Sequence, residues 1–431
     1  MNKGLLPIIF AFFICAASAV QALPQNDERV HEGVASCANS VCHGRAAPKD
    51  GSDVNLNEYR IWLKNDAHSL AYKVLLNDKS KMIAANLGLP DAHTAKICLD
   101  CHADNVAPEY RGAKFQISDG VGCESCHGGS QNWLATHTGK DATHPQNLAN
   151  GLYALTDPDA KAGLCLSCHQ GTKDKLATHK IMGAGHPRLR FDMAVFSANQ
   201  PRHYDLDADY FARGKSELAP ADAWLSGLTN AAIGSLELIE DHFDRGQVFP
   251  ELALFDCHSC HHGMNDKRWN ANSTLAPGSV RLNLSQVRLL ADVIAPLDLF
   301  SSGELTSMRT AINAVNSGSQ ASVTQVKAGA AALTLQLRSI KAVLAEASLD
   351  AVAWAAIREN MLKQAARGAY SDFIMAEQMF LALDTLNMAI NPNGTYQREV
   401  DAIFATVKDE SHFSPANFKQ ASQQFYQRLG K

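Results

Sequence analysis

Five pairs of cysteines, each followed at once by histidine, stand out among the 431 residues of this chain. Four have the form Cys-x-x-Cys-His, and the first has four residues between its cysteines. Such motifs attach a c-type haem: the thiols bond its vinyl groups and the histidine reaches the iron. The sequence therefore predicts five haems c, held by Cys37, Cys42 and His43; Cys98, Cys101 and His102; Cys123, Cys126 and His127; Cys165, Cys168 and His169; and Cys257, Cys260 and His261.

Chance, zinc sites and disulfides account for the motifs less well than haem does. With 11 Cys and 17 His in the chain, random placement gives about 0.01 Cys-x-x-Cys-His matches. Tetrahedral zinc does not need histidine directly after the second cysteine, yet all five pairs have it. A framework of structural disulfides is implausible, because a Cys-x-x-Cys disulfide is tight, strained and usually catalytic.

The N-terminus indicates export. Residues 1–22 resemble a secretory signal peptide, with Lys3 before an apolar core at 5–20 that is short for a membrane span. The eleventh cysteine, Cys15, falls inside it. We expect a soluble periplasmic chain without a membrane span, in keeping with haem attachment outside the cytoplasm.

Composition restricts the partners. The formal charge is −5 and no basic stripe is present, so nucleic-acid binding is disfavoured. Redox partner proteins are the expected partners.

The chain divides into two parts with different patterns. We assign 23–275 to a pentahaem cytochrome c domain with many Gly and Pro breaks, in which the haems themselves form the core. Helical spacing of apolar residues predicts helices at 58–76 and 221–243.

Residues 276–431 contain no cysteine and show long helical stripes. One stripe is Leu333, Leu337, Ile340 and Leu344; a second runs from Phe373 to Ile390, with Ser371 placed to cap it. These patterns predict an antiparallel helical bundle, which could be structural or could dock the chain into a larger redox complex. The predicted fold class is mainly α, with little regular sheet.

The remaining histidines decide what each iron can do. A second histidine on an iron makes the haem an electron carrier, whereas an open position allows small molecules to bind. We predict His68, His137, His179 and His186 as such second ligands. His203 and His242 are less favoured, and Met182 is an alternative ligand. Arg188, Arg190 and Arg202 could pair with haem propionates or form a solvated basic surface.

The run GVGCESCHGG at 120–129 resembles a haem motif of the cytochrome c-554 family, the tetrahaem partners of hydroxylamine oxidoreductase. The order of the first four motifs, with Trp62 and His68 between the first two, is also similar over 37–170. The resemblance implies a mostly helical fold whose first and third haems stack, as do the second and fourth. It implies that His68 lies opposite His127 and His137 opposite His43, and that the haem of His102 lacks a second protein ligand.

Three features depart from that family: the wider spacing at Cys37, the fifth motif at Cys257, and the helical region after residue 276. The favoured function is electron transfer between redox partners through closely packed haems, mostly with two histidine ligands. The alternative is an enzyme that reduces or oxidises a small nitrogen or sulfur compound at an open haem iron on His102. A third possibility is a structural subunit of a haem filament.

Overall fold

The fold is helical throughout the part of the chain that the structure, a computed structural model, describes. That part comprises residues 21–48, 51, 54–204, 206, 208–212, 217–244, 249–261 and 278–430. Within it no strand is present, and β pairing is limited to two isolated bridges, His31 with Arg111 and Phe255 with Leu282. The predicted mainly α class is confirmed. Most of the predicted signal peptide, including Cys15, lies outside the described residues.

The motif-bearing part is built of mostly short helices joined by loops. Its α-helices are α1 (Val34–Cys37), α2 (Glu58–Asn65), α3 (Ala71–Val74), α4 (Asp78–Leu87), α5 (Lys96–His102), α6 (Cys123–His127), α7 (His144–Ala149), α8 (Pro158–His169), α9 (His179–Gly183), α10 (Met193–Asn199), α11 (Ala208–Ala212) and α12 (Pro220–His242). Turns of 3-10 helix lie at Pro24–Asn26, Ala67–Leu70, Pro108–Tyr110, Ile117–Asp119, Thr136–Thr138, Leu252–Leu254 and Cys257–Ser259.

The helix predicted at 58–76 is wrong as one element, because it breaks at Asp66. Asp66 has an extended backbone, and its carboxylate accepts from the backbone N–H of His68 at 3.0 Å. A side chain that bonds the local backbone in this way competes with continued helix. The chain therefore runs as α2, a 3-10 turn and α3, and the break places His68 at the start of a new turn.

The apolar core around the first motifs is small. Its hydrophobic cluster consists of Leu75, Ala84, Ala92, Leu99 and Ala103. So few buried side chains supply little of the free energy needed to order the chain from residue 21 to 200. This thin core fits the expectation that apolar haem faces fill the space between these helices.

The C-terminal part is a set of longer helices around an extensive apolar core. They are α13 (Ser285–Ile294), α14 (Ser302–Gly318), α15 (Val323–Glu346), α16 (Ala351–Arg367), α17 (Phe373–Ile390), α18 (Gln397–Val407) and α19 (Pro415–Leu429), with a 3-10 turn at Glu410–His412. The predicted stripe on α15 is buried throughout. Asp372 caps α17 by accepting from the N–H of Met375, so Ser371 as the cap was wrong by one residue.

Helix α12 joins the two parts. The predicted helix at 221–243 is confirmed, and nearly every turn of it is buried. It packs against α8 and α10 of the motif-bearing part and against α13, α15 and α17 of the C-terminal part. One hydrophobic core thus extends from Ala194 to Phe425, on both sides of the boundary predicted near residue 276. That boundary stays a prediction.

One helix within the described residues, α17, is long and apolar enough to cross a membrane, and 67% of it is buried inside the protein. This degree of burial is typical of a helix in the core of a protein.

We expect Leu337→Ala to destabilise the C-terminal helices by about 2–5 kcal/mol, because it opens a cavity in a fully buried position. Leu335→Ala, two residues away on α15, is the matched control. Its side chain is 67% exposed, so its effect should stay below about 0.5 kcal/mol. Chemical denaturation followed by far-ultraviolet circular dichroism measures both, and equal effects would contradict the described packing.

Candidate haem-binding site

Three of the motifs occupy the last turn of a helix. Helices α5, α6 and α8 each end at the motif histidine: His102, His127 and His169. Positions i, i+3 and i+4 share one helix face, so both thiols and the imidazole point to the same side. The helical turn therefore presents the three groups together to one haem.

The first motif reaches a similar geometry in spite of its wider spacing. The N–H of His43 donates to the carbonyl of Cys37 at 3.2 Å, as the N–H of His261 donates to that of Cys257 at 2.8 Å. The two extra residues loop outwards, and Val41 is 70% exposed. Gly44 closes the turn so tightly that a Cβ there would collide with the carbonyl oxygen of Ala38.

Each of the five motif histidines faces a second histidine from elsewhere in the chain. The ring centroids are 6.2–6.3 Å apart in all five pairs. The pairs are His43 with His137, His102 with His186, His127 with His203, His169 with His68, and His261 with His179. No pair joins two motif histidines.

This separation fits one iron between two imidazoles. A metal–imidazole bond is about 2 Å long and the ring centre lies about 1 Å behind the nitrogen, so two opposed ligands have centroids roughly 6 Å apart. Ordinary aromatic pairs have centroids about 4.5–7 Å apart, so the distance alone does not require a metal. The recurrence of one separation at all five motif histidines is what points to a common ligand between the rings. The residues present therefore fit a haem iron at each pair.

Hydrogen bonds hold several of these rings with Nδ1 turned away from the facing ring. The Nδ1 atom of His43 lies 3.1 Å from a carboxylate oxygen of Glu58, and that of His68 lies 2.9 Å from Asp66. Backbone carbonyls take this role at other rings: Ala71 for His102, Leu134 for His137 and Pro187 for His186. A proton fixed on Nδ1 leaves Nε2 free to bind metal.

The surroundings differ in charge from one pair to another. The hydrogen bond to Asp66 raises the pKa of His68, and the bond to Glu58 raises that of His43. Burial lowers the pKa of His102, His169 and His203, which favours their neutral form. Neutral imidazole is the form that binds iron.

Several buried polar atoms near the motifs have no hydrogen-bond partner among the described residues. They are Nε2 of His31, Oδ1 of Asp104, Oγ of Ser125 and Ser130, and Nε1 of Trp133. A buried polar atom without a hydrogen bond is costly, so these positions fit a site that receives further polar groups. Haem propionates and bound water supply such groups.

Residues 36–128 match the family model described as cytochrome c554 and c-prime. This stretch is therefore similar to that family of c-type cytochromes. No curated protein matches the chain, and no solved structure does. The matched region contains the first three motifs together with His68.

Three of the five observed pairs, those of His127, His169 and His102, differ from what the resemblance implies. His137 faces His43, as the resemblance implies. His68 faces His169, so its predicted position opposite His127 is wrong; the break at Asp66 turns it towards the fourth motif. His203, which the sequence favoured less, faces His127. His186 lies opposite His102, where the resemblance implies no second ligand.

The other histidines stand apart from these pairs. His31 is fully buried, with Nδ1 2.8 Å from Asp104. The Nε2 atom of His242 lies 2.8 Å from the carbonyl oxygen of Thr172. His262 lies outside the described residues. His203 could have been found only by requiring one partner for every motif histidine, because no haem motif or helical stripe marks its local sequence.

The three arginines near the motifs pair with carboxylates. Arg188 and Arg190 both contact Glu377 of α17, at 3.0 and 3.1 Å, and Arg202 contacts Glu217 at 2.8 Å. Arg188 also reaches Glu410, which lies 3.8 Å from His258 of the fifth motif. Through these ion pairs, the largely buried Arg188 and the exposed Arg190 connect the segment after α9 to the C-terminal helices.

The cysteines show which motifs are neighbours. The thiols of Cys37 and Cys123 lie close enough to shift each other's pKa, and so do those of Cys101 and Cys168. Cys126 lies close enough to Cys165 and Cys168 for their charges to interact. The first motif therefore adjoins the third, the third adjoins the fourth, and the fourth adjoins the second.

A cavity of about 600 Å³ lies against the outer side of α5, lined by residues that include Leu99, Asp100, Arg111 and Lys175. None of the ten paired histidines lines it. It is therefore not a pocket that opens onto one of the facing imidazole pairs.

We expect His203→Ala to convert one haem from low-spin to high-spin, because it removes the ring that faces His127. Electron paramagnetic resonance of the oxidised protein measures the change. His144→Ala is the control, since His144 is exposed and faces no motif histidine. An unchanged low-spin spectrum in His203→Ala would contradict the pairing.

Proposed function

We propose that this chain is an exported electron-transfer protein that carries five haems c, each attached by one cysteine pair and held between two histidines. The observation that carries the proposal is the set of five imidazole pairs with the same centroid separation. The bound haem supplies one-electron storage, and the protein supplies the ligands and the surroundings. The matched c554-like region supports the redox role.

Two protein ligands on every iron favour electron transfer over catalysis at an open haem. The enzyme alternative needs an open position, and its candidate iron was that of His102. His186 lies opposite this histidine with the same spacing as in the other pairs. Its Nδ1 atom bonds the carbonyl of Pro187 at 2.8 Å, which keeps Nε2 available to the iron.

The neighbouring motifs support one order of electron transfer. Neighbouring thiols connect the first motif to the third and the second to the fourth, and Cys126 connects the third to the fourth. His179 and His186, on α9 and just after it, serve the fifth and second motifs. We propose that electrons pass from haem to haem in the order of the motifs that begin at Cys37, Cys123, Cys165, Cys98 and Cys257.

We propose that helices α13–α19 support the terminal haem and offer a surface for a redox partner or a larger complex. The contacts of Arg188 with Glu377 and of Arg281 with Asp256 connect these helices to the segments around the fifth motif. Attachment of haem c occurs outside the cytoplasm, which supports a periplasmic location and cleavage of residues 1–22.

A haem count and a ligand-binding experiment test the function. Pyridine haemochrome analysis should give five haems per chain, and Cys37→Ser with Cys42→Ser should give four. We expect every haem of the oxidised protein to be low-spin and the reduced protein to bind no CO, because both axial positions are filled. A high-spin fraction in the intact protein that binds CO would favour the enzyme.

The ring orientations add a second spectroscopic test. The facing rings are nearly parallel at His43 and His137, with an interplanar angle of 9°, and nearly perpendicular at three pairs, with angles of 84–89°. Parallel and perpendicular imidazoles split the iron orbitals differently, so we expect two kinds of low-spin signal. His137→Ala should remove a signal of the first kind, and His203→Ala one of the second. Loss of the same signal in both variants would contradict the assignment.

A further inference from the structure

Lys175 is a lysine buried beside the haem-attachment cysteines. Lys175 is 7% exposed and lies in the loop that connects α8 to α9. The loop turns sharply there, since the N–H of Thr172 donates to the carbonyl of Lys175 at 2.7 Å. Gly171 permits this turn: its φ is +124°, and a Cβ would lie 2.9 Å from the same carbonyl oxygen.

The ammonium group of Lys175 has three hydrogen-bond acceptors. Its Nζ atom lies 2.7 Å from the side-chain oxygen of Gln25, 3.0 Å from the carbonyl oxygen of Asp100 and 3.0 Å from the sulfur of Cys168. A lysine ammonium has three N–H donors, so all of them are used. These contacts fix the charge in one place.

The acceptor oxygens of Gln25 and Asp100 are neutral, and the sulfur of Cys168 would also be neutral once it is bonded to haem. In the described part of the chain no carboxylate lies within ion-pair distance of Lys175. The carboxylate of Asp100 pairs with Lys96 and accepts from Asn105 instead. The positive charge is thus held at a buried position beside the cavity next to α5, where its field is screened less than at the open surface.

The position of this charge is the contact between two haem motifs. Cys168 belongs to the fourth motif, and its sulfur lies close to that of Cys101 in the second. Asp100, whose carbonyl binds Lys175, is the residue before Cys101. One ammonium group therefore lies beside residues of both motifs, where it would be close to both haems once they are attached.

We propose that Lys175 raises the reduction potentials of the haems attached at Cys101 and Cys168. The inference rests on the proposed function, since it requires haems at these two motifs. Reduction adds one electron to a haem, and a nearby buried cation stabilises the added negative charge. Lys175 acts through the electrostatics of the site and touches no iron ligand in the five pairs.

The test is a potentiometric titration, followed by visible spectroscopy, of the intact protein and three variants. We expect Lys175→Met to shift two of the five midpoint potentials to lower values and to leave the others in place. Lys175→Arg keeps the charge and should keep those two potentials close to the original ones. Lys173→Met removes an exposed lysine two residues away and should leave all five unchanged.

The outcomes separate this inference from the function on which it rests. Five low-spin haems with unchanged potentials in Lys175→Met would overturn the role of Lys175 and leave electron transfer intact. Equal shifts in Lys175→Arg and Lys175→Met would show that the shape of the side chain, and not its charge, is responsible. Missing haems at Cys101 or Cys168 in the unaltered protein would instead refute the proposed function. If Lys175→Met does not fold, Lys175→Gln removes the charge and keeps a hydrogen-bond donor.

Discussion

The proposed haem-binding arrangement depends on the distance between two imidazoles that face each other, which would leave room for one iron between them. A motif histidine has its place fixed by its own helical turn, but its partner comes from another segment: residue 137 faces 43, and residue 68 faces 169. Each pair therefore acts as a cross-link between distant parts of the chain once an iron is bound. Under the proposed function such cross-links would help to order short helices that have only a small apolar cluster, because metal binding contributes directly to folding.

The C-terminal helices obey a different constraint. Their order comes from buried side chains such as Leu290, Leu333 and Ile357, which need no cofactor. Helix α12 connects the two parts, since it packs on α8, which carries the fourth motif, and on α15 of the C-terminal part. The C-terminal helices, with their apolar core, thus pack against the motif-bearing part through α12. The ion pairs of Arg188 with Glu377 and Glu410 add contacts near the fifth motif.

Local pattern and tertiary pairing were predictable to different degrees. Motif spacing is a local property, and helical stripes report burial on one face, so the sequence predicted the helical class, α12 and the stripe on α15. The partner of a motif histidine depends on how distant loops pack, and the local sequence does not predict this packing. For this reason the sequence favoured His203 less as a second ligand. The resemblance placed His68 opposite His127, but Asp66 breaks the helix before it and redirects the ring.

If all five irons have the same two ligands, ligand type cannot distinguish their potentials, and neighbouring charges must do so. The partner of His43 is the carboxylate of Glu58, whereas His102 bonds the neutral carbonyl of Ala71 and lies in the motif next to Lys175. The fourth haem has both signs nearby, with Asp66 at His68 and Lys175 at Cys168. Anionic partners stabilise the oxidised iron and a buried cation stabilises the reduced one. We therefore expect the haem of His102 to have a higher potential than that of His43, so that electrons move from the first motif towards the second.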